Sequence, residues 1–500
     1  MPKITGPAAQ ALVEREIKAH SDGVIGALAR FDGRRAFYTW LDTVRALEEF
    51  INLPLFGLND AEALAEAIRL LRLDALDPGA LAPIRVALAA KFGKAFAERF
   101  GATVLQASAI GAAFRMHGMF EAAAGLATVE HAVGYFQSRR RHLAAILYAL
   151  PAVGQGKERL ERLDTINQFL PLVEHSSVTL TGLYQNLMLA RVFPDFSLDV
   201  GAHGFIANHH YEPLDRTFIE PERAGILEMR DRIAGGAPAL EPVDPRLLFS
   251  PAEMRNNIRL IEAAYAEFDL ASTTFGPVAA FVRSSLAGCR DGYSVKLGAR
   301  DFDRLASQAG LSTTMREQLV HRGGDLVACT NAIAPFIVVG ETLVSTVTFL
   351  GRYLYYWKSA CLNRSRRFQI RSGFIFENSV KAALAKQGFA VTSVKRIDRK
   401  EFDVVATLGG VIYNLQCKNN LVDLARIESD PARFARYNRQ LDRSYARALA
   451  KEEAREVLLK HRLGIDEVRH LVISRFPVAT TNPRVIAFSR IGELRQRLGV

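Results

Sequence analysis

Apolar and polar positions alternate with an α-helical period over about the first 230 residues. Segments such as "DAEALAEAIRLLRL" (60–73) and "HLAAILYAL" (142–150) place apolar residues three and four positions apart, the spacing that brings them to one helix face. Alanine and leucine dominate, and both favour helices. We therefore predict a mainly α-helical N-terminal region and bound it at residues 1–235.

Two loop-like stretches and an apolar run mark the middle of the chain. Residues 193–223 are polar and residues 234–251 are rich in Gly and Pro, which is typical of loops or linkers. Helical spacing then resumes, so we expect a second, mostly helical region over 236–364. Its apolar run, 332–350, has the length of a membrane span. Pro335, Gly340 and Glu341 interrupt this run, so we prefer a buried helix or a strand pair.

From residue 365 the pattern changes to mixed helix and strand signals. A predicted amphipathic helix (373–388) ends at a glycine, and three β-branched segments follow at 389–397, 401–408 and 411–418. Gly409 and Gly410 predict a tight hairpin turn between the last two. A long helix (430–461) and two strands (468–476 and 484–490) come next. The order helix, three strands, helix, strand predicts an α/β domain over 365–500.

The positive charge of the chain is concentrated in this last third. Residues 351–500 contain 29 Lys and Arg against 14 Asp and Glu, whereas the first 350 contain 35 against 39. A basic domain joined to a mildly acidic region is typical of proteins that bind a polyanion. A solvated basic face or an anionic membrane surface are the alternatives. No secretory signal is expected at the start, and four scattered cysteines favour a reduced, cytoplasmic setting.

The hairpin places polar side chains together at one end. With a two-residue turn at 409–410, Asp403 should lie opposite Gln416 on the neighbouring strand. Because side chains alternate along a strand, Gln416 and Lys418 should share one face, and Cys417 should point into the core. Glu377, on the preceding helix, is placed to reach the same edge.

Carboxylates, an amide oxygen and a backbone carbonyl are the oxygen ligands that Mg²⁺ prefers. A bound Mg²⁺ or Mn²⁺ can polarise a phosphodiester and activate water, and a neighbouring lysine can stabilise charge on the phosphate. The residues thus point to phosphodiester hydrolysis.

The helix segment "GFIFE" and the strands "EFD" and "QCK", in this order, resemble the PD-(D/E)XK nuclease superfamily and most closely its Mrr-type, restriction-endonuclease-like branch. The resemblance covers about residues 365–490 and implies a mixed sheet flanked by helices in the order α-β-β-β-α-β. It implies that Asp403 binds metal, that Lys418 is catalytic and that Glu377 assists metal or water. Gln416 stands where an acid or amide ligand is found, and the Cys417 carbonyl matches the backbone ligand.

The helix after the motif carries a row of arginines. Residues of this row recur every three or four positions and should occupy one sector of the helix, beside a metal site, where they suit a phosphate backbone: Arg433, Arg436, Arg439, Arg443 and Arg447. The alternative is a solvated face paired with Asp442, Glu452 and Glu453. Asn419 either touches nucleic acid or caps a turn.

We therefore expect a multidomain, Mg²⁺- or Mn²⁺-dependent nuclease, with DNA as its expected substrate and a role in restriction or anti-phage defence. Its helical N-terminal region would sense or regulate, and a second copy or another defence-system protein is the expected protein partner. One alternative is a nuclease-fold module that binds DNA and leaves cutting to a partner; another is a membrane-associated effector. A second metal site at His203, His209, His210 and Glu212 matches no ligand spacing that we can defend.

Overall fold

A computed structural model of the chain describes residues 2–53, 63–202, 204–208, 227–228, 238–420, 430–476 and 478–499. The N-terminal part is helical, as predicted. Its α-helices are α1 (Gly6–Ala29), α2 (Gly33–Ile51), α3 (Ala63–Arg69), α4 (Pro78–Phe92), α5 (Lys94–Met116), α6 (Phe120–Ala124), α7 (Val129–Val153), α8 (Thr165–Glu174) and α9 (Thr181–Val192), with a π-helix (His175–Leu180) between the last two. A small antiparallel sheet accompanies them: β1 (Lys3–Thr5), β2 (Ser197–Gly201) and β3 (Gly204–Asn208).

Helices α2, α4 and α7 begin at side-chain caps, and the N-terminal helices meet in a packed aromatic core. The Asp32 side chain accepts a hydrogen bond from the Arg35 amide, at 3.1 Å, at the start of α2, which satisfies one free N–H of that helix end. Trp40 on α2 is fully buried; its indole N–H donates to the Leu143 carbonyl at 3.1 Å. Its ring meets that of Phe169 edge to face, 5.0 Å between centroids, so α2, α7 and α8 pack around one buried tryptophan.

The middle region contains a four-stranded sheet, of which the sequence predicted only the strand pair within 332–350, as one of two alternatives. Strands β4 (Ser294–Gly298), β5 (Val320–His321), β6 (Phe336–Val339) and β7 (Thr342–Thr346) form it in the order β4-β7-β6-β5. The α-helices around it are α10 (Pro251–Ala264), α11 (Phe275–Ser285), α12 (Ala299–Gln308), α13 (Thr313–Gln318), α14 (Leu326–Thr330) and α15 (Val347–Leu362), with 3₁₀ turns at Ala266–Phe268, Leu270–Ser272 and Leu286–Gly288.

The apolar run 332–350 forms a strand pair and the first turn of a helix. Gly340 has a φ of 62° and turns β6 into β7, and the Thr346 hydroxyl then caps α15 by accepting from the Phe349 amide at 3.1 Å. The strand-pair alternative is therefore the one observed. Among the described residues, no helix is both long and apolar enough to cross a membrane.

The C-terminal part is a mixed sheet with helices, as predicted. Helix α16 (Arg366–Lys386) leads into β8 (Ala390–Val391), β9 (Arg396–Ile397), β10 (Lys400–Glu401), β11 (Val404–Leu408) and β12 (Val411–Lys418), and then come α17 (Pro431–Glu453), α18 (Glu456–Leu463), β13 (Glu467–Ser474), β14 (Val485–Ala487), a 3₁₀ turn (Phe488–Glu493) and α19 (Leu494–Leu498). The five-stranded sheet has the order β14-β13-β12-β11-β8. Strands β12, β13 and β14 run parallel, and β11 runs antiparallel to both of its neighbours.

Two predicted elements of this part are broken in the structure. The strand predicted over 389–397 is two short pieces, β8 and β9. Between them the Thr392 hydroxyl accepts a hydrogen bond from the Val394 amide at 3.3 Å, and the chain leaves the five-stranded sheet. Asp398 and Arg399, with left-handed φ angles of 46° and 64°, then turn β9 back onto β10 in a separate two-stranded sheet. The helix predicted over 430–461 ends at Glu453 and restarts at Glu456. At the break, Arg455 donates to the Glu401 carbonyl at 2.7 Å. Helix α18 then packs on the sheet through Leu459.

Helices cover both faces of the five-stranded sheet. On one face, residues of β11, β12 and β13 pack against Phe376, Val380 and Leu384 of α16. On the other, Leu459 of α18 covers Val405 and Ile412, while residues of α17 cover Val472.

Another large cluster of buried side chains runs from Ala9 to Phe368 and also includes Phe434, Phe476 and Ala479. The first two predicted regions therefore share a hydrophobic core, which extends to the α17 side of the C-terminal domain. The boundary predicted at 235/236 lies outside the described residues and stays a prediction.

Candidate active site

The hairpin of β11 and β12 has the predicted turn and register. Gly409 and Gly410 have φ angles of 60° and 78°, which suit a type I′ turn and which side chains with a Cβ rarely adopt. The strands pair from Leu408 with Val411 back to Val404 with Leu415. One step further, Asp403 comes opposite Gln416, so the sequence-based placement of these two residues is confirmed.

Asp403 is fixed at the end of this hairpin by the backbone of the partner strand. Its Oδ2 accepts a hydrogen bond from the Cys417 amide at 2.8 Å. Burial raises the pKa of the Asp403 carboxyl, and the Cys417 N–H and the charge of Lys418 counter this only in part. The carboxylate is thus held in one position, and its negative charge is incompletely compensated by the protein.

Gln416 and Lys418 share one face of β12, as alternation predicted. The Lys418 Nζ donates to the Gln416 Oε1 at 3.3 Å, and the Gln416 side chain is buried. The Lys418 ammonium is therefore tethered near Asp403.

Cys417 points to the opposite face and packs against the core beneath α16, also as predicted. Burial is the main cause that raises the pKa of its thiol well above the ordinary value, so this cysteine stays a protonated thiol at neutral pH and contributes only its backbone to the site. Because the N–H and the C=O of a strand residue point to the same side, the Cys417 carbonyl faces the side of Asp403.

Glu377 reaches the same end of the sheet from α16. Burial and the nearby Asp403 charge raise the pKa of Glu377 to about 7, although Lys381 and Lys395 oppose the shift. Mutual repulsion between two partly buried carboxylates is the expected sign of a site that a cation would neutralise. Glu377 and Asp403 thus interact electrostatically. Asp403 also accepts from the Cys417 amide and lies near the charge of Lys418, so Asp403 links the carboxylate of α16 to the residues of β12.

The donor set fits a hard cation, but with few carboxylates. Among the described residues, no group of three or more His, Cys, Asp and Glu side chains is arranged to hold a metal ion. At this site the reason is plain: Gln416 offers an amide oxygen where an acid would complete the set. Two carboxylates, an amide oxygen and a backbone carbonyl remain, which suits Mg²⁺ with several of its own waters.

A buried polar network lies at the C-terminal ends of β12 and β13. The sequence did not predict it. Arg475 donates to both carboxylate oxygens of Glu228, at 2.6 and 3.0 Å, and to the Asn419 Oδ1 at 2.9 Å. The Ser372 hydroxyl donates to Glu228 at 2.6 Å and accepts from the Asn419 amide at 2.7 Å. Asn419, proposed from the sequence as a nucleic-acid contact, therefore has its side chain committed inside the protein.

A second network lies on the face of β12 that carries Gln416 and Lys418. The fully buried Asn414 donates to the Glu452 carboxylate at 2.8 Å and lies 3.2 Å from the His470 Nδ1. The other ring nitrogen of His470 lies 3.2 Å from Glu456. Glu452 is among the charges that raise the pKa of Asp403, so this network adds to the negative field at the site.

The arginine row of α17 is exposed along its length. The five side chains are Arg433, Arg436, Arg439, Arg443 and Arg447. Of these, Arg439 donates to the Arg191 carbonyl at the end of α9, at 2.9 Å, so it also joins α17 to the N-terminal region.

The three acids that the alternative interpretation pairs with this row form their bonds with other residues. Asp442 accepts from the Thr480 hydroxyl, Glu452 pairs with Arg455, and Glu453 pairs with Arg484. The alternative of an arginine face neutralised by these acids is therefore not what the structure shows.

The cluster His203, His209, His210 and Glu212 lies outside the described residues. Comparison with family models, with curated proteins and with solved structures finds no match to this chain.

Proposed function

We propose that the C-terminal domain hydrolyses phosphodiester bonds of nucleic acid with the help of a divalent metal ion. The observation that carries this proposal is the position of Asp403 at the end of the β11–β12 hairpin, where it accepts from the Cys417 amide at 2.8 Å and interacts electrostatically with Lys418 and with Glu377. Burial and the charge of Asp403 together raise the pKa of Glu377. The arrangement agrees with the PD-(D/E)XK resemblance of the sequence.

The metal would be Mg²⁺ or Mn²⁺, held by Asp403, Glu377, the Gln416 amide oxygen and the Cys417 carbonyl. Such an ion supplies Lewis acidity toward the phosphodiester and lowers the pKa of a bound water. Gln416 in place of an acid removes one negative charge from the ligand set, which predicts modest metal affinity.

The side chains of the domain have separate roles beside that ion. Lys418, tethered by Gln416 at 3.3 Å, brings a positive charge to the edge where the phosphate would lie, and a positioned cation stabilises charge that develops during hydrolysis. Asp403 is held still by the Cys417 amide, so its orientation costs nothing when substrate arrives. Glu377, whose pKa is raised to about 7 by burial and by Asp403, would become ionised when a cation binds beside it.

Charge supports a nucleic acid as the substrate. The last third of the chain has an excess of 15 basic residues over acidic ones, and the α17 arginines are exposed beside the sheet. Such a surface suits phosphates in a sequence-independent way. We take DNA as the substrate and restriction or anti-phage defence as the setting, with a second copy or a defence-system protein as partner.

A cleavage assay tests the proposal. Purified protein should nick or degrade DNA when Mg²⁺ or Mn²⁺ is added and should stop when a chelator removes the metal. Asp403→Ala should abolish cleavage under every metal tried, because it removes a charged ligand. If the wild-type protein never cleaves DNA or RNA with any divalent metal, the proposed activity is wrong.

A second function, binding without cutting, is favoured by one observation. No described group of three or more potential ligand side chains surrounds a metal position, and Gln416 is the neutral member of the set. A module of this kind would bind DNA in the absence of metal and leave cleavage to a partner. It would be supported if wild-type protein binds DNA tightly and Gln416→Glu gains the cleavage that wild type lacks.

A further inference from the structure

The catalytic helix α16 begins in a long stretch of chain without acidic residues. Residues 342–376 contain six Lys and Arg and no Asp or Glu. Four of these arginines fall within eight residues and are exposed: Arg364, Arg366, Arg367 and Arg371. Glu377 is the first acid after them. The surface at the start of α16 is therefore positive up to the candidate active site.

Two large hydrophobic side chains are exposed within this positive surface. Ile370 is 52% exposed and Phe374 is 45% exposed, although other apolar residues of α16, such as Phe368 and Phe376, are buried. Ile370 and Phe374 are four positions apart on one helix, so they are neighbours and form one small apolar patch among the exposed arginines. The ring of Phe374 is therefore a candidate contact for a partner molecule.

Helix geometry aligns these side chains with the candidate active site. At about 100° per residue, Ile370 lies roughly 20° and Phe374 roughly 60° around the helix from Glu377. At about 1.5 Å per residue, Phe374 is about 4.5 Å and Ile370 about 10.5 Å along the axis from Glu377. Ile370, Phe374 and Glu377 thus form one stripe that ends at the carboxylate.

The helix that presents this stripe is held rigidly from behind. The Ser365 hydroxyl caps α16 by accepting from the Phe368 amide at 3.4 Å. Arg367 donates to the Glu267 carbonyl at 3.2 Å, and Ser372, on the buried side, bonds to Glu228 at 2.6 Å. A side chain on such a helix loses little further freedom when it meets a ligand.

We propose that Ile370 and Phe374 form a platform on which unpaired bases of the nucleic-acid substrate stack, next to the phosphodiester at Glu377. The inference rests on the proposed nuclease function and names its substrate class: nucleic acid with a single-stranded stretch. Aromatic rings amid positive charge are the usual means of holding single strands, because every base has a face to stack and every linkage a phosphate. In a duplex the faces of the bases are covered by their stacked neighbours, so they cannot stack on Ile370 and Phe374.

Continuity with the active site favours nucleic acid over a lipid surface. Arginines beside exposed apolar side chains would also suit an anionic membrane. However, the stripe runs into Glu377, whose ionised form a negatively charged bilayer would repel, whereas a metal-bound phosphodiester would lie beside it.

Binding without cleavage tests the proposal in the full-length protein. With chelator present, fluorescence anisotropy is measured with a labelled short oligothymidine and with a blunt duplex of equal length. Wild type should prefer the single strand. Phe374→Ala should weaken single-strand binding by roughly 5- to 100-fold, the effect of losing one base–aromatic stack, and should leave duplex binding unchanged. Phe374→Trp should retain binding, and Phe120→Ala, at a 69% exposed position on α6, should behave as wild type.

Three outcomes would overturn the platform. It is wrong if Phe374→Ala and Phe120→Ala bind the single strand equally well while wild type still cleaves DNA, a result that leaves the proposed nuclease intact. It is also wrong if Phe374→Ala loses binding only to phosphatidylserine vesicles, since the stripe would then face a membrane. If wild type neither binds nor cleaves any nucleic acid, the proposed function fails together with the platform.

Discussion

The buried ion pair between Glu228 and Arg475 should be a main stabiliser of the sheet edge behind the active site. The two side chains are 3% and 8% exposed, and both carboxylate oxygens accept from the guanidinium. Removing one partner of such a pair leaves a buried charge without compensation and costs about 3–5 kcal/mol. Glu228→Gln keeps an acceptor for Ser372, so we expect a loss near the lower end, about 3 kcal/mol.

The dependence of this loss of stability on pH follows from the lowered pKa of Glu228. Burial alone would raise the pKa of Glu228, but the hydrogen bonds and charge of Arg475 outweigh it, and the pKa is lowered from 4.5. The ion pair therefore contributes its stability above about pH 4.5 and loses it as the pH falls through the lowered pKa. In Arg475→Met, burial should instead raise the pKa of Glu228, so the cost of that variant should grow from small at pH 3 to large at pH 7.

Amide hydrogen exchange measures this loss of stability locally, which is needed because the protein is too large for simple two-state unfolding. Protection factors of backbone amides in α16 and β13 should fall roughly 100-fold in Glu228→Gln at pH 7, which corresponds to about 3 kcal/mol, and should fall much less at pH 3. Glu493→Gln removes a surface acid paired with Arg490 and should change protection by less than about threefold. Equal protection in these two variants at pH 7 would refute the reasoning.

Three further changes have expected outcomes. Asn438→Ala should destabilise α17 by about 2–4 kcal/mol, measured by hydrogen exchange, because the buried amide both donates to the Ala479 carbonyl at 2.7 Å and accepts from its N–H at 2.9 Å. Gly410→Ala should cost about 1–2 kcal/mol, because a φ of 78° strains any residue with a Cβ. Gln416→Glu should strengthen Mn²⁺ binding by calorimetry roughly tenfold or more, because it adds a charged ligand.

Matched variants separate these effects from general damage. Gln440→Ala changes an exposed position of the same helix and should leave stability within about 0.5 kcal/mol. Gly492→Ala has open space around the added Cβ and no positive φ, so it should be neutral. Gln387→Glu changes a glutamine away from the hairpin and should leave Mn²⁺ binding as it was. Each control is compared with one variant: Gln440→Ala with Asn438→Ala, Gly492→Ala with Gly410→Ala, and Gln387→Glu with Gln416→Glu. An effect of equal size in a control and its variant would contradict the explanation given for that variant.

Local chemistry made the hairpin predictable. Two adjacent glycines demand a tight turn, and the alternation of side chains then fixes Asp403 opposite Gln416 without knowledge of the rest of the fold. The strand predicted over 389–397 failed for the opposite reason. The Thr392 hydroxyl bonds the Val394 amide where the strand breaks, and threonine is itself common in strands, so the local sequence did not predict the interruption.

The supporting networks could not be predicted because their members are far apart in the chain. Glu228 and Arg475 are 247 positions apart, and no local pattern distinguishes either from a surface charge. Asn419 illustrates the consequence: beside a catalytic motif it resembled a ligand contact, yet its amide completes a buried network with Ser372. The break at Ala454 likewise depends on Arg455 reaching Glu401 across the sheet.

The most direct test of the central claim is the single-turnover cleavage rate of Lys418→Ala with Mg²⁺ or Mn²⁺. Lys386→Ala, at an exposed position of the same domain, serves as the control, and DNA affinity is measured in parallel. The account predicts wild-type cleavage by the control and a loss of roughly 100-fold or more in Lys418→Ala, because it lacks the cation that stabilises charge on the phosphate, with DNA affinity within about threefold of wild type. Cleavage by Lys418→Ala at the wild-type rate would contradict the assignment of the site.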